Sequence, residues 1–151
     1  MINDFRKELD EREMISLIAD LVNTPSYPGI PEQETGVAKL IHDFFVKEGI
    51  PSEIYEVVDG RCNVVARLEG HGKGKTLLLT GHTDTVPPYD MEDAFRMKIE
   101  NEKLIGRGVV DMKGALACMV LSMAAIRRSG TRLKGNIMFA GVIGEEGKSE
   151  G

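Results

Sequence analysis

The sequence is poor in cysteine: Cys62 and Cys118 are its only two, and they stand in unrelated contexts. That excludes a disulfide framework and a cysteine-built zinc site, and it points to a reducing, cytoplasmic compartment. Positive charge is also in short supply. With 19 Lys and Arg against 24 Asp and Glu, the formal net charge is −5, which argues against a nucleic-acid partner. No apolar run approaches the ~20 residues of a membrane span, so no membrane partner is expected. Residues 1–13 are charged throughout and lack the apolar core of a signal peptide. Low-complexity tracts and internal repeats are missing too. What remains is an ordinary globular composition, 42% hydrophobic and 28% charged over 151 residues, enough for one domain with its own core.

Periodicity organises the chain into alternating helices and strands. Met14, Leu17, Ile18, Leu21 and Val22 recur at helical spacing and predict an amphipathic helix over residues 10–23. The Pro25-Ser26-Tyr27-Pro28-Gly29 cluster breaks it. A second helix is predicted over 31–47, with Pro31 in its first turn and Val37, Leu40, Ile41, Phe44 and Phe45 as its stripe. His42 lies beside that stripe and reads as structural. Strands are predicted over 53–58 and 63–68, joined by Asp59-Gly60, a strong hairpin signal. The loop 70–76 ends in Gly74-Lys75-Thr76, like a phosphate-binding loop. Its first glycine position holds Glu69, however, and a strand follows where the mechanism needs a helix, so the loop and its His71 read as solvent-exposed turn. A strand over 76–80, a second hairpin (95–99 with 103–105), an apolar, buried helix over 113–129 and a last strand over 136–142 complete the pattern. Between them, Gly106-Arg107-Gly108-Val109-Val110-Asp111 fails as a dinucleotide fingerprint, because Asp111 occupies the third glycine position. This order predicts an α/β fold with three α/β/α layers and a mixed sheet.

Three polar motifs fall at the ends of these elements. The apolar run Leu77-Leu78-Leu79 stops at Gly81, and His82 and Asp84 follow two residues apart, so an extended backbone points both to one side. Asp111 precedes the buried helix, and Glu145-Glu146 follows the last strand. Ligands in open α/β sheets sit beyond the carboxyl ends of the strands. Four acids and a histidine gathered there repel one another unless cations neutralise them. Histidine with carboxylates suits zinc or a similar divalent ion better than calcium or magnesium. The alternative is a set of acids scattered over solvated loops. The glycines flanking each motif weigh against it, because they permit close backbone approach.

At these residues the chain resembles the zinc amidohydrolases that include acetylornithine deacetylase, succinyl-diaminopimelate desuccinylase, aminoacylase, glutamate carboxypeptidase and related dipeptidases. The matching segments are Gly81-His82-Thr83-Asp84-Thr85-Val86-Pro87, Gly106-Arg107-Gly108-Val109-Val110-Asp111-Met112-Lys113-Gly114 and Gly144-Glu145-Glu146-Gly147. The resemblance implies two divalent metal ions, zinc first and cobalt or manganese as alternatives. His82 would bind one, Asp111 would bridge the pair, and Glu146 would bind the other. Asp84 would orient His82, and Glu145 would be the general base. A cis peptide after the bridging aspartate, at Asp111-Met112, belongs to the same expectation. The implied substrate is a small N-acyl amino acid or peptide, and the parent is expected to be a homodimer. Family members are longer, so residues 1–151 are expected to be the N-terminal portion of a metallohydrolase catalytic domain. An inserted dimerisation or lid domain and the C-terminal catalytic portion would be missing, leaving the sheet edge open and the chain alone inactive. The competing reading is a non-catalytic metal-binding fragment or degenerate homologue that acts as an interaction module.

Overall fold

The computed structural model describes residues 4–147. A 3₁₀ turn, Phe5–Glu8, leads into helix α1 (Glu11–Val22). The Asp10 carboxylate caps α1 by accepting the Glu13 N–H at 2.9 Å, and Leu17, Ile18, Leu21 and Val22 are its buried stripe. Helix α2 (Thr35–Lys47) begins four residues later than its periodicity predicts. Glu32 and Gln33 have φ of 59° and 38°, the left-handed region, so residues 31–34 form turns and Pro31 does not start a helix. The cause lies elsewhere in the chain. Glu34 is fully buried and takes the Arg61 guanidinium at 2.6 and 2.9 Å, and the Thr35 hydroxyl donates to the Gly60 carbonyl at 2.8 Å. The first hairpin therefore sets where α2 starts.

That hairpin joins β1 (Ser52–Val58) to β2 (Arg61–Leu68). Asp59 and Gly60 both have positive φ (49° and 76°), as a two-residue turn matching the strand twist requires. Strand β3 (Leu77–His82), a separate hairpin of β4 (Lys98–Glu100) and β5 (Lys103–Ile105), helix α3 (Gly114–Ser129) and strand β6 (Ile137–Val142) follow. The main sheet has the order β1-β2-β6-β3, with β6 antiparallel to β2 and parallel to β3. Strand β4 is shorter than predicted because residues 95–97 are spent on tethering. Phe95 stacks on Tyr27 with centroids 5.2 Å apart, and the Met97 N–H donates to Asn23 Oδ1 at 2.8 Å.

Val64 and Ala66 of β2 and Ile137 and Phe139 of β6 point into one core with Leu21, Ile41, Phe45, Leu116 and Val120. All three helices contribute to it, so the predicted α/β class with a mixed sheet is what forms. Among the described residues the helices build one of the two outer layers. On the opposite face Tyr55 and Leu78 are 48% and 54% exposed, and β3 ends the sheet as an open edge strand. One expectation needs correction. The helical segment Val109–Ser129 spans 21 residues with a mean hydropathy of 1.8, long and apolar enough by composition to cross a membrane. Asp111 and Lys113 interrupt it as a continuous apolar run. In the fold it is the central core helix, with Leu116, Ala117, Val120, Leu121, Met123 and Ala124 buried.

Candidate metal centre

The parallel pairing of β3 with β6 carries both strands to the same rim, with His82 opposite Val142. Strand β3 runs through His82, beyond the predicted end at residue 80, so the histidine is held by the sheet. The next residue locks the exit: the Thr83 N–H and hydroxyl both donate to the Val142 carbonyl, at 2.8 and 3.0 Å. Glu145 and Glu146 lie in the turn after β6. Asp111 arrives from the other direction, in the irregular π-type segment Val109–Lys113 that leads into α3. Its peptide to Met112 is cis, as the resemblance implies.

Three motifs distant in sequence therefore share one site. His82 Nε2 lies 3.1 Å from Asp111 Oδ1 and 3.8 Å from Glu145 Oε2. Ligand atoms of His82, Asp111 and Glu146 all fall within 4.8 Å of one another. On the other side of the ring, Nδ1 donates to the Asp84 carbonyl at 3.0 Å and lies 3.4 Å from its carboxylate. Asp84 is 1% exposed and stands behind the cluster. It also takes the Glu145 N–H at 3.2 Å and the Glu146 N–H at 2.8 Å, so one carboxylate fixes both the imidazole and the Glu-Glu turn. The buried His82 forms the root of the site, while the side chains of Asp111 and Glu145 are 71% and 60% exposed. Asp111 and Glu146 open onto a pocket of about 380 Å3 that Val86, Gly106, Arg107, Gly108 and Val110 also line.

The protonation pattern reflects this crowding. The hydrogen bond to the Asp84 carboxylate, opposed by burial and helped by Asp111, raises His82 to about 9. Burial works to raise Asp84, but the His82 hydrogen bond and the amides of Glu146 and Glu145 outweigh it and hold the carboxyl below its ordinary value. Burial and then the neighbouring Asp111, Asp84 and Glu145 charges raise Glu146, with His82 easing the effect. With Nδ1 committed to Asp84, Nε2 offers its lone pair toward Asp111 and Glu146 only when deprotonated. The raised value marks a place where positive charge is wanted, and the imidazole-plus-carboxylate donor set fits a divalent ion.

All five residues singled out in the sequence are brought together here. His42 and His71 lie elsewhere: His42 is half-buried in α2 and His71 is exposed in the 70–76 loop. Three neighbours were not singled out as site residues. The Met112 sulfur accepts the His82 N–H at 3.3 Å. Lys113 is fully buried, its Nζ donating to the Thr24 carbonyl at 2.7 Å, and burial lowers it to about 7. Arg107 lines the pocket. The only signal for them was their place within residues 106–114.

The family model described as Peptidase family M20/M25/M40 matches residues 78–151. The probable succinyl-diaminopimelate desuccinylase of Staphylococcus epidermidis is 33% identical over 148 residues, covering 95% of this chain and 35% of that protein. Human carnosine dipeptidase 1 superposes with a TM-score of 0.78 at 21% identity, over 96% of this chain and 35% of that one. An M20 family metallo-carboxypeptidase from Sulfolobus solfataricus gives 0.73 at 23% identity, over 87% and 30%. At such identities the structural likeness speaks for the fold. The chain spans about a third of the length of the curated relatives it matches.

Proposed function

Since residues 78–151 of this chain match the model of peptidase family M20/M25/M40, we propose that it contributes the metal-binding half of an amide hydrolase acting on a small N-acyl amino acid or peptide. The observation that carries the reading is the convergence of His82, Asp111 and Glu146, from three separate elements, to within 4.8 Å. In this reading His82, Asp111 and Glu146 would hold a pair of divalent ions, with zinc first and cobalt or manganese as alternatives. A bound pair supplies polarisation of the scissile carbonyl and activation of water at neutral pH. The chain's own residues do the rest. Asp84 fixes the His82 tautomer and aims Nε2 at the acids, and through the Glu145 and Glu146 amides it sets where those two carboxylates stand. Glu145 is solvent-facing and 3.8 Å from His82 Nε2, which supports reading its carboxylate as the base that takes a proton from water and returns it to the departing amine.

Three clustered donors fall short of the ~4 ligands of a closed divalent site. The 151 residues on their own are therefore expected to bind metal weakly and to turn over little. A cytoplasmic homodimer, with a lid or dimerisation domain and a C-terminal catalytic portion supplied by the longer parent, belongs to the same proposal. The test is twofold. Cobalt titration of the chain is expected to give a saturable visible spectrum that His82→Ala abolishes. Zinc-, cobalt- or manganese-loaded longest product of the reading frame is expected to hydrolyse N-acyl amino acids. A wild-type chain with no saturable cobalt uptake overturns the metal centre. A metal-loaded parent inert on every N-acyl amino acid and dipeptide tried overturns the hydrolase.

A further inference from the structure

Arg107 stands on the wall of the pocket that Asp111 and Glu146 also line. Its backbone is held from three sides. The Arg107 N–H donates to the Ala94 carbonyl at 2.7 Å. A Cβ on Gly106 would stand 2.7 Å from Val22 Cγ1, and one on Gly108 (φ 85°) would stand 2.8 Å from Thr85 Cγ2. The guanidinium is treated differently. Of its five N–H donors, one bond is made among the described residues, Nη2 to the Pro88 carbonyl at 3.3 Å. Its Cζ lies 5.9 Å from the Tyr89 ring centroid, and its Nε is buried with no partner. Among the described residues no carboxylate lies within ion-pairing distance of it, although acids share its pocket. A native fold rarely leaves a buried donor unmatched. Fixing the backbone this tightly while leaving a planar, forked cation under-partnered suits an anion that comes from outside.

The other pocket-lining residues are acidic, apolar or glycine, so Arg107 is the one cation lining it among the described residues. A ligand bridging the pocket meets the acid-rich centre at one end and the guanidinium at the other. The geometry points to Arg107 as the residue that binds a carboxylate of the substrate itself. This rests on the hydrolase reading above. The carboxylate could belong to the amine side of the amide or to the acyl side, and the guanidinium fork serves either.

The experiment uses the zinc-loaded 151-residue chain, 15N-labelled, and follows the Arg107 Nε–H resonance. N-acetylglycine carries its carboxylate on the amine side, N-methylsuccinamic acid carries it on the acyl side, and N-acetylglycinamide carries none. The resonance is expected to shift saturably with at least one acid, which identifies the side, and not with the neutral amide. Arg107→Gln is expected to weaken that acid about tenfold or more, the scale of a lost charge-assisted pair, while cobalt uptake is unchanged. Arg107→Lys, which keeps the charge and loses the fork, is expected to fall between. Equal response to acids and neutral amide, or undiminished acid binding by Arg107→Gln, overturns the assignment. Should Arg107→Gln fail to fold, the wild-type resonance still decides. Cobalt uptake is read separately, so loss of the metal centre and loss of this assignment are distinguishable.

Discussion

Replacing Asp84 by Asn tests the reasoning where fold and site meet. Asp84 is 1% exposed. Its Oδ2 takes the Glu146 N–H at 2.8 Å, and its Oδ1 takes the Glu145 N–H at 3.2 Å with His82 Nδ1 at 3.4 Å. Asparagine keeps one acceptor oxygen. Whichever way the amide turns, its NH2 faces a buried donor: the Glu146 N–H in one orientation, the Glu145 N–H and His82 in the other. An unsatisfied buried donor costs about 1–3 kcal/mol, and losing the charge opposite His82 adds to it, so about 2–4 kcal/mol is expected. Against a total stability of about 5–15 kcal/mol that is a large share. For a chain of this size it corresponds to a fall in Tm of about 5–15 °C. The same change removes the carboxylate charge behind the imidazole, while Nδ1 keeps its bond to the residue 84 backbone carbonyl, and cobalt affinity is expected to fall about 10–100-fold. Thermal melting by circular dichroism and cobalt titration read the two effects on one sample. An Asp84→Asn chain that melts with the wild type and takes up cobalt as tightly would refute the claim that this carboxylate holds both halves of the site.

Other expectations follow from particular contacts. Glu145→Gln in the longest product of the reading frame is expected to lower kcat by about 10²–10⁴-fold, the usual range for a general base, with cobalt uptake intact; unchanged turnover defeats the assigned base. Arg128 bonds Glu48 at 2.7 and 2.8 Å and Glu13 at 2.6 and 2.7 Å, and its guanidinium holds the Glu48 carboxyl below its ordinary value against a smaller opposing effect of burial. A depressed carboxylate stabilises the fold above its unfolded pKa, and that stability is lost as pH falls through the folded value. The gap between wild type and Glu48→Gln, about 1 kcal/mol or less for a partly exposed network, should be open in melts near pH 7 and narrow progressively as pH falls below the ordinary glutamate value. Gly135→Ala would drive a Cβ into the Lys75 carbonyl oxygen, which is backbone and cannot swing away. It is expected to cost more than the ~1 kcal/mol of a typical substitution, and a melting point equal to wild type would show that the 70–76 loop is not pinned there.

Local chemistry made much of this legible in advance. The stripe of α1, the Asp59-Gly60 turn and the apolar run of α3 each specify an element through neighbours three, four or one residue away, and each stands where it was predicted to within a few residues. The start of α2 was not legible, because Pro31 favours a helix locally while Glu34 is drawn to Arg61, 27 residues on. The first strand of the second hairpin was over-extended for a similar reason: Phe95 and Met97 have strand-like side chains but are engaged by Tyr27 and Asn23. At the site, the motifs announced His82, Asp84, Asp111, Glu145 and Glu146. Lys113 and Arg107 sit among those motifs without any spacing that marks one as buried and the other as short of partners.

By itself the sequence determined which side chains carry chemistry and that they stand at the ends of regular elements, since period and turn residues are properties of nearest neighbours. Only the tertiary structure decided that they meet. The parallel register of β3 with β6 brings residue 82 level with residue 142, and the segment before α3 delivers Asp111 to the same rim. Pairing across 60 positions depends on how the whole core packs, and no local pattern encodes it. The same holds for the second duty of Asp84, whose bonds to the amides of Glu145 and Glu146 exist only once two strands lie side by side.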